Sequence, residues 1–475
     1  MEKTFLKFIT TCVFIGLSAV AVHAQSTDDL LNLLIGKNLL KQEEADSIRA
    51  ETALKTQETP FDKTLSIDLE WRPRTEFRSG YQQMANDTTV PALFTNQRTR
   101  LTFGYDVVGK YNFQFSIQDI HTFGANDPRS TAGTIQIFEA YFEPMITKNF
   151  SIRIGRQRLM YDNQRLFAQN DWRQNANAHD ALNFRWRNSN LKTELAAAWN
   201  QTNEGVAGTN FTPTDASGKL ISNYKLLLVH YLNWKFTKAL TLTTINSGDG
   251  YQDAKNPEKL LMRYTNGGRV EFEKGNLYIT MSGYYQHGHN TSNRKIDAFY
   301  MQPEIKYTLK SNTIFRLGME YMSGNDATNK TDTVDHSFVP LYGVAHRFNG
   351  YMDLYTRFPS DLNNAGLINP YFFIVQNLSK KTSLGFYFHQ FYSQNKFVNS
   401  KKEVIDNNLG FEHDILFNYK PNPIINLEIG YSYYLPTAST VLIKKAKVDS
   451  EKTFQQWAYV MLTVKPQILK MKFNK

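Results

Sequence analysis

Arginine, carboxamides and one tryptophan crowd the stretch from Gly155 to Asp180, GRQRLMYDNQRLFAQNDWRQNANAHD. It carries Arg156, Arg158, Arg165 and Arg173, the amides Gln157, Gln164, Gln169 and Gln174, and the indole of Trp172. Guanidinium groups bind carboxylates in a fixed fork, and amides beside an aromatic face suit hydroxyl-rich ligands. The stretch therefore has the chemistry to hold an acidic or polyhydroxylated solute. A solvated basic loop on a β protein would have the same composition, so its meaning depends on the scaffold that presents it.

Little else in the chain offers covalent chemistry. His179, His230, His287, His289, His336, His346, His389 and His413 are scattered, and none lies near a GxSxG-like elbow. The reading is therefore not an enzyme, and it implies no cofactor and no metal. The single cysteine, Cys12, falls inside an N-terminal export signal, which leaves the mature chain without a thiol, a disulfide or a Cys-ligated metal. The run Asn246–Asp253 (NSGDGYQD) could offer calcium ligands but reads better as an ordinary loop. A net charge of +10 raises nucleic acid as a partner, yet no basic helix or nucleic-acid motif accompanies it.

The elements that must position the basic stretch begin with Met1–Ala24, which reads as a signal peptide. Lys3 and Lys7 precede the apolar run Phe8–Val22, and Val22-His23-Ala24 supplies small residues for cleavage before Gln25. Residues 25–60 read as a periplasmic leader containing a short helical hairpin. Leu30, Leu31, Leu33, Leu34 and Ile35 form its apolar side, and Thr27, Asp28 and Asp29 suit its first turn. So small a hairpin buries little by itself and needs a surface to dock on. A poorly ordered leader is the competing reading.

Residues 61–475 change character. The chain has 26 Tyr and 33 Phe but a mean hydropathy of −0.46, and no later apolar run is long enough for a membrane helix. From Leu65 the apolar period becomes two: Leu65, Ile67, Leu69 and Trp71 alternate with Asp68, Glu70, Arg72, Arg74, Glu76 and Arg78. Eight short turns fall near Gly109-Lys110, Thr147–Asn149, Asn188–Asn190, Thr237–Ala239, Lys274–Asn276, Lys310–Asn312, Ser379–Lys381 and Pro421–Pro423. Between them lie long polar loops, near 79–94, 122–133, 159–179, 201–221, 249–261, 288–295, 324–369, 394–405 and 436–452. This alternation predicts an all-β fold: a transmembrane antiparallel β-barrel of about 18 strands, with short periplasmic turns and long extracellular loops. Its partners would be outer-membrane lipid and lipopolysaccharide, and the barrel-assembly machinery during insertion. The loop at 324–369 is too long for a simple hairpin, which predicts that it folds inward or across the mouth. A two-strand extension of the wall is the alternative.

Thirteen of the twenty arginines lie between Arg72 and Arg187. Charge on a lipid-facing position at midplane costs about 2–4 kcal/mol, so Arg72, Arg74, Arg98, Arg100, Arg153, Arg185 and Arg187 are expected to face the lumen. There they would favour anions, or pair with Asp68, Glu70, Glu76 and Asp106 and stitch the wall.

Arg72-Pro73-Arg74-Thr75-Glu76, Arg98-Thr99-Arg100-Leu101, Gln118-Asp119, Glu139-Ala140-Tyr141, Gly155-Arg156-Gln157, Gln164-Arg165-Leu166, Asp171-Trp172 and Asp180 together resemble the alginate-export porin family of outer-membrane proteins. Leu341-Tyr342-Gly343, His346, Gly350-Tyr351-Met352-Asp353 and Gly366-Leu367 resemble its later block. The resemblance implies an eighteen-strand monomeric barrel whose founding members pass a polyuronate through an arginine-lined, loop-constricted pore. It implies that Arg72, Arg74, Arg98, Arg100, Arg153, Arg156, Arg165 and Arg185 are lumen or constriction cations, joined by Gln157 and Trp172. Glu76, Asp119, Glu139 and Asp180 would be their acidic partners. His179 departs from the aromatic expected before Asp180. The last strand reads as Gln455–Val464, stopping at Lys465-Pro466 without a terminal aromatic.

The sequence thus points to an outer-membrane channel for passive passage of anionic saccharides or small anionic solutes. A general diffusion porin and a structural or adhesive barrel are the alternatives.

Overall fold

The computed structural model describes residues 62–125, 135–209, 211–212, 223–253, 255–346 and 348–473, together with 44–46 and 48. The signal peptide, most of the helical leader and the tips of two long loops lie outside the described residues. The strands are β1 (Lys63–Ser79), β2 (Ala92–Val107), β3 (Tyr111–Thr122), β4 (Gln136–Pro144), β5 (Phe150–Gln157) and β6 (His179–Arg187). They continue with β7 (Leu191–Trp199), β8 (Leu226–Lys235), β9 (Leu240–Gln252), β10 (Leu260–Lys274), β11 (Leu277–His289), β12 (Lys295–Thr308) and β13 (Thr313–Met322). The last are β14 (Leu367–Asn377), β15 (Thr382–Ser393), β16 (Asn408–Tyr419), β17 (Ile425–Pro436), β18 (Gln455–Val464) and β19 (Gln467–Phe473).

From β1 to β18 each strand pairs antiparallel with its sequence neighbours, and β1 pairs with β2 on one edge and with β18 and then β19 on the other. The ring is therefore closed, so that β1 has a partner on both edges. β18 and β19 are one wall strand broken at Pro466, which has no N–H to donate. The Leu69 amide reaches the Pro466 carbonyl at 3.1 Å, and the register slips by one residue between Ile67 and Asp68. Nineteen hydrogen-bonded segments thus make an 18-strand barrel. The sequence-based end of the last strand at Val464 is corrected: after Pro466 the ladder resumes and carries Phe473 opposite Lys63.

The eight short turns and nine long loops fall where the period predicts them, although β9 runs to Gln252 and shortens the loop that follows it. The faces have the polarity a bilayer demands. Along β12, Phe299, Met301, Ile305 and Tyr307 are exposed, whereas Tyr300, Gln302 and Glu304 are buried. In water this arrangement would be inside out; in lipid the exposed apolar band is covered.

The lumen is not an empty tube. Loop 323–366 folds inward, as its length predicts, and buries Phe338, Met352, Leu354 and Tyr355. These pack in one cluster with wall residues such as Tyr300, Phe391, Tyr434 and Trp457 and with Phe167 from loop 158–178. A third loop adds the short helix α1 (Ala438–Ile443), whose Thr437 and Thr440 form a reciprocal capping box and whose Ile443 joins the same cluster.

The face assignment has a direct test. Leu317 stands mid-strand in β13 and is 56% exposed. Leu317→Arg should destabilise the folded barrel in lipid vesicles by about 2–4 kcal/mol, whereas the same change at Leu378, in a turn, should cost about 0–1 kcal/mol. Denaturant titration of the refolded protein measures both.

Candidate functional site

β1 and β2 place four arginines on the inner face, with Arg72 directly opposite Arg98. Like charges in that register repel unless an anion or a row of dipoles lies between them. Loop 158–178 provides both. Asp171 accepts from Arg98 at 2.9 Å and from Arg72 at 3.2 Å, and Arg100 lies 3.9 Å away. The carbonyls of four consecutive loop residues also meet guanidiniums: Asp171 and Arg173 accept from Arg72 at 2.8 and 3.4 Å, Trp172 from Arg74 at 2.9 Å, and Gln174 from Arg98 at 3.0 Å. The Gln174 side chain accepts from Arg72 at 2.8 Å, and Gln118, which holds Arg100 at 2.7 Å, donates to the Asn175 carbonyl at 3.1 Å. A carbonyl outside a regular ladder still needs a donor when it is taken from water, and for residues 171–174 the arginines supply it.

Trp172 is the packing counterpart of this clamp. The Arg74 guanidinium lies 4.0 Å from its ring centroid, and the His346 imidazole stacks on it at 4.0 Å and 7°. His346 bonds Asp353 at 2.9 Å, and Asp353 accepts from the Tyr81 hydroxyl. Wall, basic loop and the long loop 323–366 are thereby tied at one indole.

Arg165 makes a second clamp. It is buried and forks onto Glu320 of β13 at 2.7 and 3.1 Å, while its third nitrogen donates to the Val344 carbonyl at 3.0 Å. Tyr300 donates to the same carboxylate at 2.5 Å. Burial would lower the Arg165 pKa, but Glu320 and Tyr300 outweigh it and the guanidinium is held above its ordinary value. Beside it the two loops meet in one parallel β-bridge between Phe167 and Tyr342. A Cβ on Gly343 would strike the Arg165 carbonyl, so only glycine allows this approach.

The other expected site residues divide between the two faces of the wall. Arg153 and Arg185 face inward and share Glu143, at 2.6 and 2.8 Å, and Arg185 continues to Glu194 at 3.0 Å. Glu139 holds Arg158 at 3.0 Å, and Glu76 holds Arg74 and Arg78 at 2.9 and 2.8 Å. Gln157 is buried and donates to the Ala181 carbonyl at 2.8 Å, a role in the wall. Three assignments need correction. Arg156 pairs with Asp180 at 3.0 Å, but the side chains are 38% and 66% exposed and lie on the outward face with Ile154. Asp119 likewise stands on the outward face, where it bonds His121 at 2.7 Å. The strand period of two puts them there. Arg72, Arg74, Arg98, Arg100 and Arg165 are on the lumen side but covered by the loops they hold. Asp249, read as an ordinary loop residue, instead stands in β9 and pairs with Arg263.

Asp171, Gln174, Glu143, Glu194 and Glu320 were missed as partners. Asp171 and Gln174 stood in the basic stretch itself; Glu320, 155 positions from Arg165, left no signal in sequence spacing.

A family profile described as alginate export matches residues 63–439. No curated protein sequence matches the chain. Among solved structures, OccAB4 of Acinetobacter baumannii superposes with a TM-score of 0.56 at 12% identity, over 86% of this chain and 98% of that one. The outer membrane protein opdK of Pseudomonas aeruginosa gives 0.55 at 9%, over 86% and 99%. OprD of the same organism gives 0.53 at 13%, over 85% and 96%. At such identities the likeness is one of fold.

Two outcomes follow from the clamps. Glu320→Gln leaves Arg165 buried without its counter-charge and should destabilise the protein by about 3–5 kcal/mol, read by denaturant titration. It should also free loop 323–366 to protease. For Asp171, burial raises the pKa, but Arg72, Arg98 and Arg100 outweigh it and the carboxyl stays below its ordinary value. A depressed carboxylate contributes stability above its unfolded pKa of about 3.9 and loses it as pH falls through the folded value. Protease nicking of loop 158–178 should therefore stay low from neutral pH down to about pH 4 and rise only below it.

Proposed function

The chain belongs to the alginate-export family, whose fold is that of outer-membrane porin channels, and on that premise we propose that it passes anionic solutes, acidic saccharides among them, down their gradients. The observation that carries this reading is the sharing of carboxylates on the β1–β7 side of the lumen. Glu76 serves Arg74 and Arg78; Glu143 serves Arg153 and Arg185; Glu194 serves Arg185 and Arg187; Asp171 serves Arg72 and Arg98. Glu70 serves Arg98 and Lys465. Where each acid is divided between cations, positive charge is left over, and low-dielectric walls carry its field into the lumen.

The cations are held rigidly, so they cost little to order when a carboxylate passes. Arg158 and Arg187 keep part of their surface open, which suits brief contacts better than tight binding. Selection would act through field and constriction, with no covalent step. The apolar cluster packed inside the lumen favours a second feature, a narrow or closed resting state that loop movement opens.

Reversal potentials of single channels in a salt gradient test the proposal. Anion-selective openings, blocked by an oligouronate, are expected. Arg158→Gln or Arg187→Gln should lower the anion preference about two- to fivefold, equivalent to about 0.4–0.9 kcal/mol. Arg156→Ala, on the outer face, should leave it unchanged. Openings without selectivity or block would make the protein a general porin, and silence across many insertions would make it a structural barrel.

A further inference from the structure

The short-turn rim has a composition that the channel reading does not use. None of the eight short turns contains an aspartate or glutamate, and six contain lysine: Lys110, Lys148, Lys238, Lys310, Lys380 and Lys420 are all exposed. The long loops at the opposite rim mix both signs; Asp87, Asp326, Asp332, Glu403 and Asp449 stand among their lysines. Positive charge is therefore concentrated around one mouth.

Beside the lysines stand exposed hydrophobic residues. Ile146, Phe236 and Leu378 each precede a lysine by two positions and are 54%, 55% and 59% exposed. Leu309 immediately precedes Lys310, and Val108 comes two before Lys110. We propose that this rim is a binding collar for anionic phospholipid of the periplasmic leaflet. A soluble polyanion would account for the lysines and leave the apolar neighbours in water. A lipid accounts for both: the hydrophobic side chain enters the acyl boundary, and the lysine stem lies along it with the ammonium at the phosphate. Short turns lie on the periplasmic side in bacterial barrels, where the leaflet is phospholipid. The collar requires only this orientation and not the ion preference of the lumen, so the two proposals stand or fall separately.

The test uses the purified protein in nanodiscs of phosphatidylethanolamine with or without phosphatidylglycerol, with retained lipid counted by native mass spectrometry. Each lysine near an anionic leaflet contributes an attraction equivalent to about fivefold in occupancy. Phosphatidylglycerol should be retained over phosphatidylethanolamine by the native protein. A variant with Lys148→Gln, Lys238→Gln, Lys310→Gln, Lys380→Gln and Lys420→Gln should lose that preference. The corresponding Lys→Arg variant should keep it, which separates loss of charge from loss of fold. Equal retention of the two lipids, or a preference that the glutamine variant preserves, overturns the collar. So does an oligouronate that binds through these lysines while lipid retention is indifferent to them.

Discussion

A guanidinium keeps its charge at any pH an outer membrane meets, so an arginine removed from water must be given acceptors. That constraint organises the inside of this barrel. Arg72, Arg74 and Arg98 are buried, and what they find is the backbone of a loop: the carbonyls of Asp171, Trp172, Arg173 and Gln174. The loop has the converse need, because a segment without secondary structure carries carbonyls that no neighbouring strand can satisfy. Each side supplies what the other lacks, and Asp171 supplies the counter-charge.

The second constraint is closure. A strand edge left open in lipid would strand its amides and carbonyls, so β1 must be paired on both sides along its whole length. Pro466 interrupts the closing strand, and the chain answers with a one-residue register slip and a resumption at Gln467. The wall then holds the arginine rows of β1 and β2 in fixed register, and the clamps at Asp171, Trp172 and Arg165 position the constricting loops. The order is a rigid wall, charge fixed to it, and inward-folded loops that add charges of their own, Asp171 and Arg158, to that wall.

Charge is sorted between lumen and rim by the same physics. Inside, where field lines cannot spread into water, arginines share carboxylates and are held by forks of hydrogen bonds. At the short-turn rim, lysine replaces arginine and stands exposed beside hydrophobic side chains, as suits a flexible stem at an interface.

Much of this was legible in one dimension. A period of two with one apolar face, and short turns alternating with long loops, depend only on neighbours along the chain, and they determined the barrel, its strand number and the gathering of the long loops at one rim. The outward placement of Arg156 was legible too, since it shares parity with Ile152 and Ile154, as Asp119 does with His121. A long polar loop could be expected to turn inward. What the loop would grip could not be read, because a clamp depends on residues brought together by closure. Arg165 and Glu320 are 155 positions apart, and Trp172 meets His346 only after two loops have entered the same lumen. Residue type established that arginine would need acceptors; only the tertiary structure decided that those of Arg72, Arg74 and Arg98 are wall and loop carboxylates, the Gln174 amide and four consecutive loop carbonyls, because only there are burial and distance defined.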